Sequence, residues 1–113
     1  MPRKNFGDTV NTSSVAPTNL LQASVSETIT IRTITASNRT NPGLDALLYL
    51  GYRDSSAAKS IWLGFGMLVR SNAPNGGSSS LSFDIGQVLE AGDYLFAYSD
   101  TATALDVSGS YEV

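Results

Sequence analysis

Ser56 and Lys59 match the spacing of a known catalytic pattern. They belong to Ser56-Ala57-Ala58-Lys59, the S-x-x-K arrangement in which serine is the nucleophile of serine acylases. That chemistry requires a helix that places both side chains on one face. Here the tetrapeptide lies between two segments with the periodicity of strands. We therefore predict a turn at this position and no acyl-transfer site.

The composition excludes most other catalytic chemistry. The 113 residues include no histidine and no cysteine, which removes Ser-His-Asp triads, thiolate nucleophiles and the usual zinc ligands. Six aspartates could supply oxygen ligands, although no D-x-D calcium loop is present; they are Asp45, Asp54, Asp84, Asp93, Asp100 and Asp106. A loop calcium site built from several of them stays open. We otherwise predict a protein that is not an enzyme, has no cofactor and acts by binding or in a structural role.

The charge pattern limits the partners. Seven basic residues stand against ten acidic ones, which gives a formal charge of −3, and only Arg3 and Lys4 form an adjacent basic pair. Nucleic-acid binding requires a basic stripe, so we expect no nucleic-acid partner. The longest mostly apolar run, Ile61 to Val69, is too short to cross a bilayer, and no apolar signal core follows Met1. We expect a soluble protein without a membrane partner or an export signal.

Alternating apolar residues predict strands that position these groups. Between Lys59 and Arg70, every odd position is apolar, which predicts that five side chains point to one face: Ile61, Leu63, Phe65, Met67 and Val69. The same period covers Leu81 to Ile85, Tyr94 to Tyr98 and Leu105 to Val113. Gly109 interrupts the last of these, which predicts a bulge or a close approach of backbone.

One strand changes phase, and turn signals separate the others. Ile29 and Ile31 share a face whereas Ile34 has the opposite parity, so we predict a β-bulge near Arg32-Thr33. Turns or loops are predicted at residues 38–43, 72–80 and 90–93. The pattern is that of an all-β protein, an antiparallel β-sandwich of jelly-roll or Ig-like type with about seven to eight strands. We assign residues 1–17 to an extended N-terminal arm and residues 18–113 to one sandwich domain.

The central strands are apolar on both faces. Leu47 and Tyr49 alternate with Leu48 and Leu50, and Trp62 lies opposite the odd-numbered face of its own strand. Three explanations stay open: loops cover this second face, one of the strands is central, or the face is a subunit interface, in which aromatic residues are enriched. The candidate interface residues are Arg3, Lys4, Leu47, Tyr49, Trp62 and Leu68. Arg3 and Lys4 enter this set as the basic start of the arm, which could order on a neighbouring subunit.

The C-terminal segment of the chain resembles part of a known family of proteins. The segment Gly92-Asp93-Tyr94-Leu95-Phe96-Ala97-Tyr98-Ser99, followed by Ala104-Leu105-Asp106-Val107-Ser108-Gly109-Ser110-Tyr111-Glu112-Val113, is similar to the C-terminal half of small β-sandwich virion proteins of tailed bacteriophages. The strand Thr28 to Ser37, which runs into Asn38, is similar to their early strand. The resemblance covers most of residues 27–113.

The resemblance implies a non-enzymatic structural protein located in the virion. We expect a capsid decoration (cement) protein that self-associates, as a trimer by this resemblance, and binds the major capsid protein on the capsid exterior. A tail or baseplate accessory subunit is an alternative. A second alternative, from the residues themselves, is a carbohydrate- or receptor-binding module that uses aromatic rings for stacking; the candidate rings are Tyr49, Tyr52, Trp62, Tyr94 and Tyr98.

Overall fold

The computed structural model describes residues 3–39, 45–71 and 80–113 and shows an all-β protein. Eight strands follow one another along the chain: β1 Arg3–Thr9, β2 Thr18–Gln22, β3 Ile29–Asn38, β4 Ala46–Asp54, β5 Lys59–Val69, β6 Ser80–Leu89, β7 Tyr94–Ser99 and β8 Leu105–Glu112. They form two antiparallel sheets of four strands, which we call sheet I (β1-β8-β3-β6) and sheet II (β2-β7-β4-β5). The all-β sandwich prediction is confirmed.

The strand order distinguishes between the two predicted sandwich types. Among the strands of the described residues, only β4 and β5 are consecutive and pair within one sheet; each of the other connections joins a strand of one sheet to a strand of the other. Eight strands in two four-stranded sheets wound in this way form a double Greek-key jelly roll, not an Ig-like sandwich. Because nearly all pairings join residues distant in sequence, the fold depends on closing both sheets together.

Alternating side chains from both sheets fill the space between the layers. Sheet II contributes the fully buried side chains of Leu48 and Leu50 from β4 and of Leu95 from β7. Sheet I contributes Ile31 and Ile34 of β3 to the same core. This is the inward half of the period-two pattern, and its burial is the main favourable term in folding. The opposite half of each strand forms the outer surface of its sheet.

The predicted bulge in β3 is confirmed. The register shifts between Ile31 and Thr33 in the pairing with β6 and also in the pairing with β8. As a result Ile31 and Ile34 are both fully buried despite their opposite parity. The predicted close approach at Gly109 is also present, because a Cβ there would overlap the carbonyl oxygen of Thr33 and the ring of Phe6.

The N-terminal segment differs from the predicted arm over residues 1–17. Arg3–Thr9 pairs with β8 along its whole length as the edge strand of sheet I, and Val10 is buried. Thr18–Gln22 forms the edge strand of sheet II. The arm prediction is therefore corrected: β1 belongs to the sandwich. Its weak alternation, with polar residues at most positions, hid a strand that hydrogen bonding to β8 holds in place.

Two further predictions concern loops and the length of one strand. The strand predicted from Leu81 to Ile85 is longer in the structure, where it runs from Ser80 through Gly86 to Leu89. The predicted turn at 38–43 and loop at 72–80 fall mainly on residues 40–44 and 72–79, which lie outside the described residues. The turn at 90–93 is present between β6 and β7.

The buried carboxylate of Asp93 holds three elements together at one end of the sandwich. One of its oxygens accepts a hydrogen bond from the Ser55 N–H at 2.9 Å and the other accepts one from the Glu90 N–H at 3.0 Å. Its own carbonyl oxygen accepts from the Ala23 N–H at 2.9 Å. Asp93 therefore joins the β4–β5 turn, the β6–β7 turn and the end of β2. These bonds satisfy its buried oxygens, which would otherwise be costly.

The close packing at Gly109 makes a stability prediction. We expect Gly109→Ala to lower the free energy of unfolding by about 2–3 kcal/mol, because the added methyl group must displace the Thr33 backbone or the Phe6 ring. Gly86→Ala is the matched control, since nothing lies within 4 Å of a Cβ at that position. Urea denaturation of both variants measures the difference, and equal stabilities would contradict the described packing.

Candidate functional site

The outer surfaces of the two sheets differ in chemistry. On sheet I, hydroxyl and charged side chains pair across strands: the Thr33 and Ser110 hydroxyls lie 2.8 Å apart, and the Arg32 guanidinium pairs with the Glu112 carboxylate. The hydrogen bond from Arg32 lowers the pKa of Glu112 below its ordinary value. Sheet I thus has the polar outer face expected of a sheet that meets water.

The outer surface of sheet II is aromatic. Register across its strands arranges the outward residues in rows, which run from Leu47 beside Leu68, through Tyr98, Tyr49 and Phe65, and then Phe96, Gly51 and Trp62, to Tyr94, Arg53 and Ser60. We call this surface the aromatic face. Large apolar side chains on it stay in contact with solvent: Trp62 is 42% exposed, Leu68 47% and Phe65 66%. Exposed apolar clusters of this kind mark interaction sites in soluble proteins.

Phe65 reaches this face because β5 is longer than its partner. Nine residues of β4 pair with eleven of β5, and the register shifts at two places, between Leu48 and Tyr49 and between Leu50 and Gly51. Two extra residues in β5 reverse the alternation between the bulges. The prediction that Phe65 shares a face with Ile61, Leu63, Met67 and Val69 is therefore wrong. Gly66 permits the local backbone, since its φ is +74°.

The rings pack against one another as a continuous cluster. Tyr49 and Tyr98 stack with their planes 8° apart and their centroids 4.6 Å apart, and the edge of Phe65 meets Tyr49 at 4.8 Å. Trp62 makes edge contacts with Phe65 at 5.0 Å and with Phe96 at 5.4 Å. These are favoured aromatic geometries. They hold the rings in one arrangement, so the surface is ordered before anything binds to it.

Gly51 lies beneath the centre of this cluster. A Cβ there would lie 2.7 Å from the Ile61 carbonyl oxygen, 2.9 Å from the Phe96 ring and 3.2 Å from the Trp62 ring. Only glycine leaves room for the two rings to close over the strand. The absence of a side chain at Gly51 therefore allows the aromatic rings to pack over β4.

The polar groups of the aromatic face lie at its two ends. At one end Arg53 and Ser60 join Trp62, Tyr94 and Phe96 around a shallow groove of about 290 Å³, which the loop residues Ser14, Val15 and Pro17 complete. At the other end the carboxylate of Asp100 accepts the Leu47 N–H at 2.8 Å. The loop that contains Ser14, Val15 and Pro17 is held by hydrogen bonds of its own, including one from the Asn11 side-chain amide to the Ala16 carbonyl oxygen at 2.9 Å.

The structure brings together four of the six candidate interface residues. Leu47, Tyr49, Trp62 and Leu68 all lie on the aromatic face. Arg3 and Lys4 lie on β1, the edge strand of sheet I, and are exposed there. The aromatic face thus does not include the basic pair. Of the five candidate rings for stacking, Tyr52 packs against the core instead of facing outward.

Sequence reasoning missed Phe65 and Arg53 as members of this surface. The signal for Phe65 was present in Gly64 and Gly66, which flank it and mark the bulged stretch. Arg53 could have been found from the alternation of β4, because it shares parity with Leu47 and Tyr49. Phe96 was predicted only as part of the alternating strand Tyr94 to Tyr98 and not as part of a site, and it is the buried base of the cluster.

The other candidate chemistry is accounted for by turns. Ser56 and Lys59 lie at the β4–β5 turn, where the Asp54 carboxylate accepts hydrogen bonds from the Ser56 hydroxyl and the Ala57 N–H. These bonds lower the pKa of Asp54 below its ordinary value. Ala58 has a φ of 54°, as a tight turn requires. The structure places this tetrapeptide in a turn as predicted.

The described residues contain neither a cluster of metal-binding side chains nor a helix that could span a membrane. Within residues 3–39, 45–71 and 80–113, no group of three or more acidic, histidine or cysteine side chains is placed to hold a metal ion. The same residues contain no helix long and apolar enough to cross a membrane.

The sequence matches no protein-family model and has no significant match among curated proteins. Function must therefore be argued from the surfaces of the molecule.

The outward orientation of Phe65 makes a prediction that separates the bulged register from simple alternation. We expect Phe65→Ser to change the free energy of unfolding by less than about 1 kcal/mol, because its ring is mostly in solvent. Leu48→Ala, at a fully buried position of the paired strand, should cost about 2–5 kcal/mol. Denaturant unfolding of both variants is the measurement. Similar losses for the two would return Phe65 to the core.

Proposed function

We propose that this chain is a non-enzymatic structural protein of a virus particle, a capsid decoration protein that contacts other protein subunits through the aromatic face. The observation that carries the proposal is the exposure of Trp62, Phe65 and Leu68 together on one side of a rigid sandwich. An apolar, aromatic centre with polar groups at its rim is the anatomy of a protein–protein interface.

The fold is compatible with this role. Jelly rolls occur in viral capsid proteins, and they also occur in lectin domains and cupins, so the fold alone assigns no function. The resemblance of residues 92–113 to small phage virion proteins favours the first of these classes. A tail or baseplate position would use the same surface, and the proposal commits to the capsid exterior.

A decoration protein acts by binding the assembled shell and not its separated subunits. By mass action, such binding stabilises the assembled state. The free energy of this stabilisation grows with the logarithm of the ratio between the free concentration of the decoration protein and its dissociation constant. The preformed ring cluster suits a contact between protein subunits, because little side-chain freedom is lost when a partner covers Tyr49, Trp62 and Tyr98.

We expect the chain in purified particles of the virus that encodes it, at a fixed ratio to the major capsid protein. Quantitative mass spectrometry gives the copy number, and electron cryo-microscopy gives the position on the capsid or the tail. Absence from purified particles while the chain is made in infected cells would overturn the proposal. Density confined to the tail would correct its position.

The contact surface is tested with particles stripped of the chain. Added wild-type protein should raise the temperature at which the shells disrupt, whereas Trp62→Ser/Phe65→Ser should have a much smaller effect. Val88→Ser is the matched control, because Val88 is 40% exposed on the polar face of sheet I. Equal effects of all three proteins would contradict a role for the aromatic face.

The groove at the Arg53 end favours a second candidate function, the binding of a saccharide. Tyr94 and Trp62 offer ring faces for stacking, and the Arg53 guanidinium and Ser60 hydroxyl supply donors beside them. Its volume of about 290 Å³ is enough for a small ligand. Trp62, one of its walls, is 42% exposed, as a stacking platform requires.

This second candidate predicts that a glycan array gives at least one specific ligand, and that Tyr94→Ala loses it. Tyr94 lines the groove without belonging to the exposed Trp62–Phe65–Leu68 ridge, so its removal leaves the three most exposed apolar side chains of the aromatic face in place. Tyr111→Ala, at a half-buried ring of sheet I, controls for loss of an aromatic elsewhere. A blank array for the folded wild type would remove this candidate.

A further inference from the structure

The charged groups of sheet II are divided between the two ends of the aromatic face. The outward alternation of β4 places Arg53 at one end, beside Ser60 of β5 and Tyr94 of β7. At the opposite end, just beyond the strands, lie Asp45, Asp100 and Arg70: Asp45 precedes Leu47 by two positions, and Asp100 and Arg70 follow Tyr98 and Leu68 by two positions. The first end carries one positive charge. The second carries two carboxylates and one cation, a formal charge of −1.

The remaining charges on these strands do not lie on the outer face. Asp54 and Lys59 pair opposite each other at the hairpin end with the inward parity of their strands. Asp93 is buried with both carboxylate oxygens bonded to backbone N–H groups. Strand β2 has no charged residue. Between the two charged ends, the face presents aromatic rings, leucines and the uncharged Asn19 and Gln22.

We infer that the aromatic face is covered by the same face of a second copy of this chain, turned so that Arg53 of each copy lies over Asp100 of the other. The inference rests on the proposed use of the aromatic face as a protein–protein contact and names its occupant. A twofold contact needs only one self-complementary patch. A surface that is apolar in the middle and of opposite charge at its two ends meets that condition.

The charges also select the orientation of the two copies. A twofold axis in the plane of the contact and parallel to the strands would place Arg53 over Arg53 and the acidic ends together. An axis in that plane but perpendicular to the strands reverses one face and brings opposite charges together. Like charges facing each other oppose association, and complementary ones fix the register. The strands of the two faces then run roughly aligned, as in stacked sheets.

A twofold contact also fits the asymmetry of the molecule better than a cyclic trimer built from two different surfaces. The outer surface of sheet I is made of exposed hydroxyl pairs and ion pairs such as Thr35–Ser82 and Arg32–Glu112. Burying aromatic rings against it would leave those polar groups without water and without new partners, which is costly. Ring against ring avoids this cost.

The test is a set of charge reversals followed by sedimentation velocity over the micromolar range. Wild type should be a dimer. Arg53→Asp and Asp100→Arg should each weaken the dimer roughly tenfold or more, because both contacts across the twofold axis become repulsive. The double variant R53D/D100R should recover wild-type affinity. Asp84→Arg, an exposed aspartate on the outer face of sheet I, is the matched control and should leave the dimer unchanged.

Mixing the two single variants gives the decisive result. A heterodimer of Arg53→Asp with Asp100→Arg has attractive pairs at both ends, whereas each variant alone has only repulsive ones. The mixture should therefore dimerise when neither component does. Because this gain requires two folded proteins, it separates the contact from damage to the hydrogen bond that Asp100 accepts from the Leu47 N–H. Circular dichroism of each variant checks the fold.

Several outcomes would overturn the inference: a monomeric wild type, a trimer, a dimer insensitive to every reversal, or a mixture that stays monomeric. Loss of the dimer at Asp84→Arg as well would place the contact on sheet I. These results leave the proposed function standing, because presence in the particle is measured on wild type without reference to its assembly in solution. Conversely, a dimer absent from particles would sink the proposed function alone.

Discussion

The mismatch in length between β4 and β5 is the constraint on which the surface of this molecule depends. Eleven residues must pair with nine, so β5 takes up two bulges, and each one reverses the side chains that follow it. Between the bulges, Phe65 leaves the core and joins Tyr49 and Trp62 outside. Gly64 and Gly66 provide the freedom this requires: the space that a Cβ of Gly64 would take is occupied by the Met67 side chain, and Gly66 has a positive φ. Without the bulges the ridge of exposed apolar groups along β5 would be shorter by its most exposed member.

The same rule, applied to both sheets, produces two surfaces of opposite character on one core. Sheet I places hydroxyls and ion pairs outward, where water and cross-strand partners satisfy them, as with Thr35 and Ser82 at 3.0 Å. Sheet II places aromatic rings outward, where they pack against one another. The core between them is ordinary in composition, with leucine, isoleucine and valine from both layers. The aromatic face therefore results from an unequal distribution of side chains over two similar sheets, and the jelly roll as such does not require it.

A surface of this kind has consequences for assembly. β5 is an edge strand of sheet II as well as the ridge of the aromatic face, and exposed apolar edge strands invite pairing with other chains. The bulges distort the edge and so discourage the addition of a further strand, while they leave the face itself available. The molecule thus favours stacking through the face over extension through the edge, which is consistent with a defined contact between subunits in a particle.

The amino-acid sequence was enough to predict the class of the fold, because hydrophobic residues at every second position share one face only in a β-strand. It also determined the bulge at Arg32 from the phase change between Ile31 and Ile34, and the close approach at Gly109 from a glycine in an apolar row. It identified Leu47, Tyr49, Trp62 and Leu68 as a second apolar side. It did not determine that Arg3–Thr9 is a strand, since that segment is polar and its conformation comes from pairing with β8, a hundred residues away in the chain. Nor did it determine the side of Phe65 or the grouping of Arg53 and Asp100 at opposite ends of one face. Register between distant strands decides those, and register is a property of the closed sheet that no local pattern contains.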